Sequence, residues 1–216
     1  MPHLGGGAAK RNDIVNKQVQ LVTFPAADGA ILHGAFQPAE GSPKSARTAV
    51  VFLHGAGSNF YGSTLAAELV PTLTAHGQAV FAINTRGHDL VSTFRTRDGA
   101  RRGGAAYEIV DECRHDIRGA LGWLLDEGYE QISLMGHSLG ALKAIYSQSH
   151  EAHAAVSRIV AVSPPRLSYA AFCQGPRRRD FLQMMSRAEQ LVAAGEGDHL
   201  LEVNIPLRLL ISAAGH

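Results

Sequence analysis

From residue 48 onward, strand-like apolar runs alternate with stretches of helical periodicity, and that rhythm leaves few folds open. Thr48 to Leu53 (TAVVFL) and Ala79 to Ile83 (AVFAI) are continuously apolar, as expected of strands covered on both faces. Gln131 to Met135 (QISLM) and Arg158 to Val162 (RIVAV) continue the series. Between these runs, Gly62 to Ala75 places Leu65, Leu69 and Leu73 four residues apart. Tyr107 to Glu127 carries an apolar stripe of Ile109, Cys113, Ile117, Ala120, Leu121 and Leu124 before a stop at Gly128,. Leu139 to His150 is a third helical stretch. The alternation predicts a three-layer α/β/α architecture around a mostly parallel sheet. Ahead of it, Gln18 to Phe24 and Ile31 to Phe36 flank Asp28-Gly29, which reads as an N-terminal antiparallel hairpin at the sheet edge.

Two connections break the rhythm. Arg86 to Ala106 reads as a Gly/Arg-rich loop, and Ser163 to Pro206 holds a helical stretch around Phe181 to Ala194. Insertions of this size after sheet strands tend to cover the ligand crevice, so residues 164–205 are expected to form a cap or lid. Residues 1–16, with Gly5-Gly6-Gly7 and Lys10-Arg11 but no secretory apolar stretch, read as a flexible leader,. Residues 17–216 then form one domain. A net charge of +1 gives no reason to expect nucleic acid or an anionic membrane as partner. No apolar run reaches the ~18 residues of a membrane span. Cys113 and Cys173 lie in no metal-type or redox spacing and read as reduced thiols of a cytoplasmic protein,.

The chemistry concentrates where QISLM ends. Gly136-His137-Ser138-Leu139-Gly140 follows that strand at once and opens a helix. A serine lifted clear of a sheet needs a strained turn, and small neighbours two residues to either side leave it room. The pentapeptide is short enough to arise by chance; its position between strand and helix is what makes Ser138 a candidate nucleophile. A second piece, His54-Gly55-Ala56-Gly57, follows TAVVFL. A tetrahedral acyl intermediate needs two donors aimed at its oxyanion. The expected pair is the N–H of Leu139 and the N–H of Ala56, with Gly57 giving the loop its freedom. His54 reads as a loop support, since a residue placed before the oxyanion donor is badly placed for a general base. Gly55, Gly136, His137 and Gly140 are read as supports of the loop and the turn.

Together these motifs resemble the α/β-hydrolase family. HG-x-G follows the third strand, Arg86-Gly87-His88 the fourth and GHSLG the fifth, in family order from about residue 18 to 163. The resemblance implies a mostly parallel sheet and a Ser…Asp/Glu…His triad acting on esters or related acyl bonds of small molecules; no cofactor or metal is expected. Only Ser138, Leu139 and Ala56 fall on matching positions. The family's acid follows a late strand and its histidine lies further on. Here Ser163-Pro164-Pro165 follows the sixth strand without a carboxylate, and a later run, Leu207 to Ile211, is followed by only five residues. The expectation is a hydrolase whose acid and base lie beyond residue 216, with an exposed strand edge that makes the chain prone to associate. Substitutes within the chain would be Asp180, Asp198, His199, His216, His88 or Asp89.

Rival readings are weaker. Gly55-x-Gly57 could open a dinucleotide-binding unit, but Phe60 stands at the third glycine position and the next strand ends in Asn84,. His150, Glu151 and His153 do not have HExxH spacing. Arg95, Arg97, Arg101 and Arg102, and Arg177 to Arg179, read as solvated loops. Trp123 reads as core. A hydrolase-like protein that binds a ligand without catalysis is the alternative from a different class, and an inactive fragment is the other alternative. The oligomeric state is left open.

Overall fold

The computed structural model describes residues 19–41, 47–204 and 208–215; the expected leader, residues 1–16, lies outside them. The two continuously apolar runs become β3 (Thr48–Leu53) and β4 (Ala79–Ile83), adjacent and parallel at the centre of the sheet. Their side chains divide by parity. Ala49, Val51, Leu53, Phe81 and Ile83 face one helical layer, and Val50, Phe52, Val80 and Ala82 face the other. The first layer contains α2 (Cys113–Asp126) and α3 (Leu139–His150), and the second contains α1 (Thr64–Ala75). Each large side chain buried this way contributes about 1.5–3 kcal/mol. Trp123 belongs to this core, its ring 4.6 Å from that of Phe81.

Outward from the centre, β7 (Gln131–His137) pairs parallel with β3, and β8 (Val156–Val162) pairs parallel with β7. On the other side β2 (Ile31–Gln37) runs antiparallel to β4, and β1 (Gln20–Pro25) folds back on β2 through the Asp28-Gly29 turn. The three-layer architecture with an N-terminal antiparallel hairpin is therefore present. Among the described residues β8 pairs with β7 alone, and Ile159 and Val160 are exposed although their sequence reads as buried strand.

Several boundaries differ from expectation. Arg86 to Ala106 is not a loop throughout. It contains β5 (Ser92–Thr96) and β6 (Gly99–Gly103), an antiparallel hairpin that extends the sheet past β2. The hairpin turns at Arg97-Asp98 with Gly99 at φ 124°, a short turn signal hidden among arginines. The long helix begins at Cys113 and not at Tyr107: a 3-10 turn, Val110–Glu112, precedes it and leaves Ile109 exposed. Beyond Ser163 the chain forms α4 (Tyr169–Gln174) and α5 (Arg178–Ala193), then a separate antiparallel pair, β9 (Leu200–Val203) with β10 (Leu209–Ser212). The last apolar run thus pairs with a strand whose sequence carried no clear signal. No helix among the described residues is long and apolar enough to cross a membrane.

Candidate active site

At the end of β7 the backbone reverses through Ser138, at φ 53° and ψ −121°. Such a conformation costs a non-glycine residue of order 1–3 kcal/mol and persists only where packing enforces it. That packing is visible in the two glycines. A Cβ on Gly136 would overlap the Gly140 carbonyl, and one on Gly140 would overlap the carbonyls of Leu53 and His54. The start of α3 is thereby pressed against the end of β3. The Ser138 N–H donates to Val162 O at 2.9 Å and ties the turn to β8.

The His54-Gly55-Ala56-Gly57 loop passes beside this serine. A Cβ on Gly55 would lie 3.2 Å from Ser138 Cβ and 3.6 Å from His137 Nδ1, so the two motifs meet at Gly55. Gly57 sits at φ 65°, the turn that carries the loop away. The Leu139 N–H, first in α3, has no intrahelical acceptor,. The Ala56 N–H has no acceptor among the described residues. Ala56 and Leu139 both line one cavity of about 380 Å³.

His54 is 1% exposed and fully engaged. Its Nδ1–H donates to Gly55 O at 2.8 Å, and its Nε2 accepts the Thr85 N–H at 3.2 Å. Burial, reinforced by the Lys143 charge, pushes its pKa down to about 3. It is neutral at physiological pH with both ring nitrogens occupied, an arrangement suited to holding a loop and not to accepting a proton.

The chain matches the Alpha/beta hydrolase family over residues 50–211. It belongs to that family. Among solved structures it resembles the Pyrococcus furiosus esterase Pf2001, at 25% identity and TM-score 0.54 over 76% of this chain and 57% of that one. It also resembles the α/β hydrolase GrgF from Penicillium sp. sh18, at 16% identity and TM-score 0.62 over 92% and 71% of the two chains. A third is a thermostable carboxyl esterase from Bacillus coagulans, at 17% identity and TM-score 0.58 over 84% and 52%. The chain spans less than two thirds of the length of the Pyrococcus esterase. No curated protein sequence matches it.

The cavity of this family member is lined largely by apolar side chains from beyond Ser163, among them Leu167, Phe172, Phe181, Met184 and Leu209. Its charged wall residue is Glu108, whose carboxylate lies 2.5 Å from the ammonium of Lys143, itself fully buried. No side chain among the described residues hydrogen-bonds to Ser138 Oγ. The possible substitutes for acid and base are engaged elsewhere. Asp180 pairs with Arg177 at 3.3 Å, Asp198 with Arg102 at 3.5 Å and His199 with Glu196 at 3.8 Å, all on the surface. His216 lies outside the described residues. His88 Nδ1 meets Asp89 at 2.9 Å, and Asp89 also accepts from Tyr61 at 2.6 Å and from Asn59. Partial burial raises the Asp89 carboxyl, but those three donors outweigh it and hold the group below its ordinary value. Its N–H donates to Ser58 O at 2.9 Å, so this pair braces the far side of the HGAG loop.

The remaining candidates resolve as surface structure. Glu151 is held by Arg114 and Arg118, His150 stacks on Tyr146, and His153 Nδ1 accepts the Ala155 N–H. Unlike these, Cys113 is buried in the core, and it and the half-buried Cys173 are both free thiols.

Four buried charged groups, Arg86, Glu108, Asp116 and Lys143, were not read as interior from the sequence. Arg86 is 1% exposed and donates to both carboxylate oxygens of fully buried Asp116, to Glu112 at 2.9 Å and to Asp28. Burial holds the Asp116 carboxyl above its ordinary value against the opposing guanidinium. Lys143 had one legible signal: it shares the helical stripe of Gly140, Ala144 and Ser147, the face that α3 buries,.

Proposed function

We propose that this chain carries the acylation half of a serine hydrolase acting on an ester or related acyl bond of a small molecule. Ser138 Oγ attacks the acyl carbon, and the oxyanion forms between the N–H groups of Ala56 and Leu139. The observation that carries the reading is the strained Ser138 turn lying directly against Gly55. That turn sets a serine directly before Leu139, which with Ala56 lines one cavity, and neither backbone donor is committed elsewhere among the described residues. Residues 17–216 are read as the hydrolase domain, with 164–205 as its cap, because α4 and α5 line the same cavity as Ala56 and Leu139. The esterases among the structural neighbours support the choice of acyl chemistry. The two free thiols fit a reducing cytoplasm,.

The proton of Ser138 needs an acceptor, and none is assigned among the described residues. That observation favours a second reading, a hydrolase-like protein that binds a ligand in the same cavity without turnover. A fluorophosphonate probe separates the two. Labelling of the folded chain that disappears in Ser138→Ala is the expected result. Equal labelling of both proteins overturns the nucleophile, and none in either leaves the binding reading in place.

A further inference from the structure

A lysine ammonium buried under a cavity wall is costly, since an ion taken from water loses several kcal/mol of hydration even when paired. Lys143 has a side-chain exposure of 0%. Its Nζ lies 2.5 Å from Glu108 Oε1 and donates to Thr85 Oγ1 at 3.1 Å. Because that oxygen accepts from the ammonium, its own hydrogen turns toward His54 Nε2, 3.2 Å away, where it shares the ring lone pair with the Thr85 N–H, also at 3.2 Å,. With Nε2 an acceptor, the ring proton resides on Nδ1, which donates to Gly55 O,.

Gly55 O is the other end of the peptide unit whose N–H belongs to Ala56. A trans peptide is planar, with its C=O and N–H opposed, so anchoring one end aims the other. Gly55 O is anchored twice, by His54 Nδ1–H at 2.8 Å and by the Ser58 N–H at 3.2 Å. Donors arriving at a carbonyl also polarise the amide and strengthen its N–H, and chains of such bonds reinforce one another in a low-dielectric interior.

We infer that Lys143 is a positioning residue: through Thr85 and His54 it fixes the Gly55–Ala56 peptide so that the Ala56 N–H is presented to the oxyanion. Glu108 completes the arrangement from the cavity side by neutralising the ammonium, and it fits because Gly87 has no Cβ to collide with its carboxyl. The lysine belongs to the helix that Ser138 starts, so the relay ties the loop donor to the same element that supplies the Leu139 donor. The inference rests on the oxyanion-hole reading above, and its test includes a readout independent of that reading.

The test uses the 216-residue chain with Lys143→Met, Thr85→Val and the double variant. Thermal melting first establishes that each is folded. In the amide spectrum, Lys143→Met shifts the Ala56 resonance and leaves Leu139 in place, and the His54 ring nitrogens shift while the Thr85 N–H keeps the ring proton on Nδ1. Thr85→Val, which keeps the Lys143–Glu108 pair and serves where the lysine variant does not fold, shifts the same signals in the same sense. Fluorophosphonate labelling slows roughly 10–100-fold in Lys143→Met, short of the full loss from deleting an oxyanion donor. The double variant is no slower than the worse single one. Unmoved Ala56 and His54 signals in a folded variant, or additive rate losses, overturn the relay. If the parent chain does not label at all, the nucleophile reading fails alone, and the spectra still decide the relay.

Discussion

Ahead of Ser163 the chain buries four charged side chains, Arg86, Glu108, Asp116 and Lys143, whereas beyond it the described residues bury none. The second region is held by a small cluster of Ala188, Leu191 and Ala213, and it leaves Leu167, Tyr169, Val192, Leu200 and Leu210 exposed. The two regions nonetheless share a cavity. The inner wall, with Ala56, Glu108 and Leu139, belongs to elements locked by paired charges and crowded glycines. The outer wall belongs to helices with little buried beneath them. The difference teaches what the proposed site would divide between its walls: reacting groups need sub-ångström placement, while a wall that only encloses a ligand can be lightly packed.

The largest break of this contrast comes from Arg86→Met. It strands Asp116 uncompensated in the interior, and a loss of about 3–5 kcal/mol follows. Chemical denaturation measures it, and a loss below about 1 kcal/mol would mean that the inner region is not organised by its ion pairs. Leu191→Ala, in the outer region, is expected to cost about 2–3 kcal/mol. Hydrogen exchange should show that cost as faster opening of α5 with β3, β4 and β7 still protected. Uniform loss of protection would make the two regions one cooperative unit.

The finest distinction is in pH. His54 titrates near 3 in the folded chain against 6.5 when free. The unfolded state therefore takes up the proton first as pH falls, and this contribution to stability is complete above pH 6.5 and lost progressively toward pH 3. One group sets a slope of at most about 1.4 kcal/mol per pH unit. Asp28 and Asp89, held below the ordinary 3.8, add to it only in the lowest part of that range. Denaturant midpoints between pH 7 and 4.5 should fall in the parent chain and flatten in His54→Gln. Parallel profiles would show that the loop histidine is not held neutral by burial.

Much of the inner region was legible in residue order. TAVVFL and AVFAI read as doubly covered strands because both neighbours of each are helical layers, and that requirement is written in every residue of the run. The Ser138 turn was legible because Gly136 and Gly140 leave no side chain to hide the signal. The β5–β6 hairpin was missed because its strands, STFRT and GARRG, are polar; pairing at a sheet edge needs backbone and little else. The 3-10 turn at Val110–Glu112 was absorbed into the helical stripe that follows it, since both periods place apolar residues three apart.

From its sequence alone this protein could be assigned a parallel sheet, a serine at a strand-to-helix turn and a glycine loop beside it. These follow from periodicity and from steric demands that act within a few residues. Tertiary structure decided the rest: that Lys143, Thr85 and His54 form one line of hydrogen bonds, that Glu108 and Arg86 are interior, and that among the described residues β10 pairs with β9 and not with the main sheet. A charged side chain carries the same letter in water and in a core. Only the neighbours brought to it across the fold determine whether its charge is solvated, paired or placed in the service of another group.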